Sequence, residues 1–234
     1  MAEIRDKFWL DKEKAVLIVI DVQERLIPAI QQVVGELGIA TQIVVVDGPS
    51  KDGTSEAAAR LGATVVKQTE RGYGGALIAG FATATAPFVL TMDADLSHPA
   101  NFIRDLWARR GDAELLIASR YVAGGGATVG AFRRILSVIL NVVYRIVLQL
   151  PVHDLSSGFR LYRLDALRGL KLESRDFDVL EEILVRGHRQ GWRIGEVAFH
   201  YMPREAGSSH VRLLHFAWAY LKTLIRMWRL RFFG

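Results

Sequence analysis

The 234 residues include no cysteine. That absence removes disulfides, cysteine-ligated zinc and thiol nucleophiles together. The sequence also lacks any uninterrupted apolar run of about 18 or more residues, so no segment reads as a transmembrane helix. The N-terminal stretch MAEIRDKFWLDKEK is charged and has no signal-peptide apolar core, which predicts a cytoplasmic protein. There is no internal repeat and no low-complexity linker. With 50% hydrophobic and 24% charged residues, general disorder is excluded.

What remains is a chain long enough for one sizeable α/β domain or two small ones. Its formal charge is +5 and its pI about 9.6. That balance suits an anionic partner: a nucleotide diphosphate, a lipid phosphate, a membrane surface or nucleic acid.

Short β-branched runs alternate with helical patterns in the first half. AVLIVI (15–20), QIVVVD (42–47), ATVVKQ (63–68), PFVLTMD (87–93) and ELLIAS (114–119) are the strand candidates. Helices are expected at about 23–37, 54–61, 74–85 and 99–110. Nearly all-apolar strands in this alternation predict a mostly parallel sheet covered on both faces. Ligands in such sheets sit beyond the carboxyl ends of the strands. Two of these ends are acidic, at Asp47 and at Asp93 with Asp95.

After residue 120 the pattern changes. A Gly-rich break, AGGGATVG (123–130), leads into AFRRILSVILNVVYRIVLQL (131–150). There Ser137, Asn141, Arg145 and Gln149 form a narrow polar stripe, so the wide apolar face must be buried in protein or in a membrane interface. PVHDLSSGFRLYR (151–163), a helix over 178–190, a strand near 193–199 and the loop YMPREAGSSH (201–210) follow. The last segment, 211–234, is helical by spacing. Arg212, His215, Lys222, Arg226 and Arg229 keep to one face, with Trp218, Tyr220, Leu221, Leu224, Ile225 and Trp228 around the rest. This interleaving favours peripheral membrane contact. Nucleic-acid binding is the poorer account, because stacking aromatics would have to leave an apolar helix face.

The sharpest motif is TMDADLSHP (91–99). Carboxylates at i and i+2 directly after an apolar strand suit a hard cation, Mg²⁺ or Mn²⁺, shared with substrate phosphates. A strand-end turn stabilised by aspartates would read the same way. Two further elements add context. VVVDGPSKDGT (44–54) places Asp47, Gly48 and Asp52 at a strand end and a second turn. ERGYGGALIAGF (70–81) opens a helix after Arg71 with small residues, Gly74 among them, that let backbone N–H groups approach a phosphate. His98 and His153 lie beside Pro and Asp and read as turn residues rather than metal ligands.

In order, VVVDGPSKDGT, RGYGGAL, TMDADLSHP, IASRYVAGGG, DLSSGFRLYR and PREAGSSH resemble the motif series of family 2 glycosyltransferases, in the branch of the dolichol-phosphate (polyprenol-phosphate) mannosyltransferases. The resemblance covers about residues 40–230. It implies a glycosyltransferase-A fold: a Rossmann-like α/β domain with a mostly parallel sheet, here over residues 1–210, followed by the amphipathic helix 211–234. It also implies a nucleotide-sugar donor such as GDP-mannose, a divalent metal, inversion at the anomeric carbon and a lipid-phosphate acceptor at the inner membrane face. By similarity, Asp47 contacts the nucleoside and Asp93 and Asp95 hold the metal diphosphate. Arg120, Arg133 or Arg134, and Arg204 meet phosphates, and Gly48, Asp52, Arg71, Gly74 and Ser208 complete the donor site. His210 falls where similar proteins have lysine.

The chemistry agrees with these roles. A single inverting displacement needs no protein nucleophile; its main demand is stabilising the leaving diphosphate. An anionic lipid phosphate needs no strong base, whereas a hydroxyl acceptor wants a carboxylate. Glu181, Glu182, Asp178 and Asp154 are the candidates for that base.

The opening segment departs from this pattern. LDKEKAVLIVIDVQERLIPAI (10–30) resembles the start of isochorismatase-like cysteine hydrolases, with Asp21 at their aspartate. The nucleophilic thiol of that chemistry is absent, so the hydrolase reading fails. AVLIVI still suits a first parallel strand, with residues 1–34 as an atypical first β–α unit. IDVQER in place of the usual first motif leaves a second alternative, a nucleotide- or membrane-binding domain without turnover.

Overall fold

The computed structural model describes residues 14–20, 26–48, 53–93, 97–202 and 213–234, with backbone alone for 14–20, 133 and 213–217. In chain order the strands are β1 (Lys14–Ile20), β2 (Ala40–Asp47), β3 (Thr64–Lys67), β4 (Phe88–Asp93), β5 (Leu115–Ser119), β6 (Gly126–Ala127), β7 (Arg160–Arg163), β8 (Ile194–Ala198) and β9 (His200–Tyr201). The helices are α1 (Leu26–Glu36), α2 (Thr54–Arg60), α3 (Gly72–Thr83), α4 (Ile103–Ala108), α5 (Ala131–Leu148), α6 (Leu164–Arg168), α7 (Val179–Arg189) and α8 (Leu213–Phe233).

Seven strands form one sheet in the order β3-β2-β1-β4-β7-β5-β8, and β6 and β9 form a small second sheet. β1 lies centrally and pairs in parallel with both β2 and β4, so AVLIVI does serve as the first parallel strand. β7 is inserted antiparallel between β4 and β5. No strand was expected at Arg160–Arg163; it lies within the motif DLSSGFRLYR.

The apolar strands alternate between two cores, as a sheet covered on both faces requires. Val44, Val46, Val89, Leu115 and Ile117 face the α3, α5, α7 and α8 side. Ile43, Val45, Leu90, Leu116 and Ala118 face the α1 and α4 side. α8 docks through Met227, Tyr220, Leu224 and Leu230. The Tyr144 hydroxyl donates to the Tyr220 carbonyl at 2.6 Å, which joins α8 to α5.

α5 ends as its sequence prescribes. Gln149 takes φ 51°, Leu150 N–H closes onto the Arg145 carbonyl at 3.1 Å, and Pro151 cannot continue the helix. Among the described residues, no helix is long and apolar enough to cross a membrane.

Candidate active site

The parallel register sets Ile20 beside both Val46 and Asp93. Asp47 and Asp93 therefore end strands at one sheet edge with β1 between them, about 10 Å apart by strand spacing. The Asp47 carboxylate accepts the Ser55 hydroxyl. Asp93 donates its N–H to His98 Nδ1 at 2.9 Å, and its Oδ1 lies 3.3 Å from the Tyr73 hydroxyl. Its side chain is 34% exposed. A partly open carboxylate of this kind is the hard oxygen donor that Mg²⁺ or Mn²⁺ takes. Gly158 passes beneath it so closely that a Cβ there would lie 2.4 Å from the Tyr73 hydroxyl and 3.2 Å from Asp93 Oδ1. Of the other residues expected here, Asp95, Asp52, Arg204 and Ser208 lie outside the described residues, as does the Arg133 side chain.

The glycine-rich start of α3 has a packing basis that its sequence does not announce. A Cβ on Gly74 would meet the Ser174 carbonyl at 2.6 Å, and one on Gly72 the Arg175 carbonyl at 2.3 Å. The Gly75 N–H is already bonded to the Arg175 carbonyl at 3.1 Å. The loop 173–176 thus packs against the helix start closely enough to require glycine at 74, a packing reason that the expected approach to a phosphate did not include. Tyr73, missed in the sequence although it lies inside RGYGGAL, stacks on Phe177 at 4.6 Å. Burial, then the neighbouring Asp93, pushes its phenol well above the ordinary value. Arg71 is exposed at the helix N-cap. Gly48 follows Asp47 at the strand end, half-buried.

Arg120 follows β5 at the same sheet edge. Its Nε and Nη2 bond both oxygens of Asp154 at 2.7 Å, and Nη2 also reaches Ser156. Asp154 is fully buried and further accepts the N–H groups of Arg120 and Ser157. Glu196 in turn accepts from the N–H groups of His153 and Asp154. Burial would lower the Arg120 pKa, but Asp154 holds it above the ordinary value, so this arginine is a fixed cation. Beside it opens a cavity of about 460 Å³ lined by Arg120, Tyr121, Arg134, Asn141, Arg145 and His153. Arg134 and Arg145 are exposed on α5 and have no ion-pair partner among the described residues. With Arg120 neutralised by Asp154, the uncompensated charge of this cavity comes from Arg134 and Arg145, and two such cations suit an anionic group.

The acids proposed as a base divide sharply. Asp154 is consumed by Arg120. Glu182 is buried and accepts N–H bonds from Glu173 and Ser174, together with Arg186 Nε at 2.7 Å. Burial alone would raise its pKa; these donors hold it lowered instead. Its place in catalysis is corrected accordingly: it anchors the loop that covers α3. Asp178 is bound by Arg226 of α8. Asp178 Oδ1 and Glu181 Oε2 are the oxygens of this group that have no hydrogen-bond partner among the described residues.

The polar stripe of α5 turns partly inward. Asn141 is buried, donating to the Ser137 carbonyl and accepting the Leu155 N–H. Phe132, Ile135, Ile139, Val142 and Ile146 lie outside at helical spacing. α8 repeats the arrangement with Trp218, Leu221, Ile225, Trp228 and Phe232.

Residues 15–170 match the profile of glycosyl transferase family 2, and the match takes in the first strand. An uncharacterized glycosyltransferase of Mycobacterium tuberculosis is 34% identical over 189 residues, 81% of this chain and 85% of that one. The dolichol-phosphate mannosyltransferase of Pyrococcus furiosus is 35% identical over 184 residues, 75% of this chain and 52% of that protein. Among solved structures, glucosyl-3-phosphoglycerate synthase from Mycobacterium tuberculosis, in complex with Mn²⁺, uridine diphosphate and phosphoglyceric acid, aligns with a TM-score of 0.68 at 18% identity. That alignment covers 95% of this chain and 81% of the other.

Proposed function

This chain belongs to glycosyl transferase family 2 and is a hexosyl-transferring enzyme of the glycosyltransferase-A fold, and we propose that it moves a hexose from a nucleotide-diphosphate sugar to a polyprenyl phosphate at a membrane surface. Asp47 meets the nucleoside, and Asp93 with Asp95 would hold Mg²⁺ or Mn²⁺, as the metal-bearing neighbour suggests. When bound, the cation neutralises charge on the leaving diphosphate. An acceptor phosphate held by Arg120, Arg134 and Arg145 attacks the anomeric carbon as its bond to the diphosphate breaks. The acceptor is already anionic, so no protein base is required, which suits a site whose acids are mostly committed elsewhere.

The observation that carries this reading is the double use of α5. One flank, at Arg134 and Arg145, lines the cationic cavity. The adjacent face is bare and apolar from Phe132 to Ile146. A ligand fitting both has an anionic head and an apolar tail. Phosphoglycerate, present in the structural neighbour, has the head alone and leaves the apolar face unexplained.

The test is transfer of labelled hexose from GDP-mannose and UDP-glucose, with Mn²⁺, to polyprenyl phosphate in anionic vesicles and separately to 3-phosphoglycerate. Label extracted with the lipid supports the proposal. Label on phosphoglycerate alone refutes the lipid acceptor, and nucleotide binding without any product supports a non-catalytic domain.

A further inference from the structure

We infer that His98 is a positioning residue for the donor-metal site, fixing the backbone and carboxylate of Asp93 in the orientation a cation needs; this rests on the donor site proposed above. The antiparallel pairing of β4 with β7 stops at Thr91 and Arg160, two residues before Asp93. Beyond that point the strand end needs another partner for its polar groups. His98 Nδ1 supplies one, accepting the Asp93 N–H at 2.9 Å. That acceptor role leaves the ring proton on Nε2, and Nε2 lies 3.9 Å from Asp93 Oδ2. The imidazole therefore spans the residue, with one nitrogen on its backbone and the other facing its carboxylate.

The ring is held in this attitude. The His98 side chain is 4% exposed; it stacks on Phe159 with centroids 4.8 Å apart and meets Phe199 edge-on at 5.9 Å. Rotating it would break both contacts together with the hydrogen bond. On the other side, the Tyr73 hydroxyl stands 3.3 Å from Oδ1. Both approaches to the carboxylate are longer than a strong hydrogen bond. They orient the oxygens without consuming the lone pairs a cation requires, which is how an outer partner tunes a metal ligand.

The experiment compares the unaltered chain, His98→Phe and His98→Asn by calorimetric titration of GDP and UDP across a Mn²⁺ series. Phenylalanine keeps the stack and removes the acceptor; asparagine restores an acceptor at the position of Nδ1. The expected result is that His98→Phe raises the Mn²⁺ concentration for half-maximal nucleotide binding about tenfold, with metal-free binding unchanged, and that His98→Asn recovers most of the loss. An unchanged Mn²⁺ requirement in His98→Phe, or an equal loss in His98→Asn, overturns the inference alone. Absence of Mn²⁺-dependent binding by the unaltered chain overturns it together with the donor site. Should His98→Phe fail to fold, His98→Met takes its place and is judged by the same outcomes.

Discussion

Glu181→Gln should make this protein more stable, by a margin that opens above about pH 4.5 and is complete near pH 7. Glu181 is 7% exposed beneath the seam of α5 and α8. There it lines a small polar cavity with Ser137, Asn141, Tyr144, Ser156 and Tyr220. Burial raises its pKa from 4.5 to about 7; Asp178 adds to the rise, while its own backbone N–H, Arg160 and Arg226 oppose it. In the unfolded chain the carboxyl ionises near 4.5. The folded state therefore retains a proton that the unfolded state has lost. The contribution of this group to stability is full below pH 4.5, declines as pH rises to about 7, and is flat beyond. The interval corresponds to about 3 kcal/mol. Glutamine keeps the shape and cannot ionise. Urea denaturation should show the two proteins within about 1 kcal/mol at pH 5 and the variant ahead by about 3 kcal/mol at pH 8. The latter is a Tm gain of roughly 6–12 °C for a chain of this length. A gap that is the same at both pH values, or none at pH 8, refutes the burial argument.

Asp154→Ala strands the partly buried Arg120 guanidinium and should cost about 3–5 kcal/mol, measured by urea denaturation. Gly74→Ala drives a Cβ onto the Ser174 carbonyl and should cost about 1–3 kcal/mol; Gly72→Ala, at φ 85°, should cost more. Equal melting of either variant with the unaltered chain would remove the packing account of these glycines. Ile139→Glu combined with Ile225→Glu should reduce co-sedimentation with anionic vesicles at least tenfold, with stability held within about 1 kcal/mol because both sites are exposed.

Some features were legible because they are local. Apolar runs ending in acids gave β2 and β4, and with them Asp47 and Asp93; the expected crossover helices 54–61 and 74–85 correspond to α2 and α3. β7 was not legible. It is four residues long, begins and ends with arginine, and pairs with strands distant in sequence. The charge of Arg160 is accommodated only because the carbonyls of Ser157, Leu180 and Leu155 converge on it, and no spacing announces that. The same holds for Gly74 and Glu182. Each looks functional in isolation, yet both serve the loop 173–176, whose path over α3 is a tertiary fact. His98 stood in plain view beside Pro99 as a turn residue, and the aromatic cage that gives it purpose comes from Phe159 and Phe199.

The orientation of α5 is the strongest physical constraint on what this protein does. A polar stripe one residue wide would ordinarily face water, with the apolar remainder packed inside. Here Asn141 goes inward to bind Leu155 and the Ser137 carbonyl, and Phe132, Ile135, Ile139, Val142 and Ile146 stay outside. Full burial of such a side chain is worth about 1.5–3 kcal/mol; these five are about half to two-thirds exposed, so about half of that is forgone at each, roughly 5 kcal/mol together, a large share of the stability of many domains. α8 adds a second stripe at the same spacing. A lipid phase over both helices, as proposed, would recover that energy. It would also set the acceptor's phosphate beside Arg134 and Arg145 while its tail stays in the lipid, so a single helix would read both ends of the acceptor.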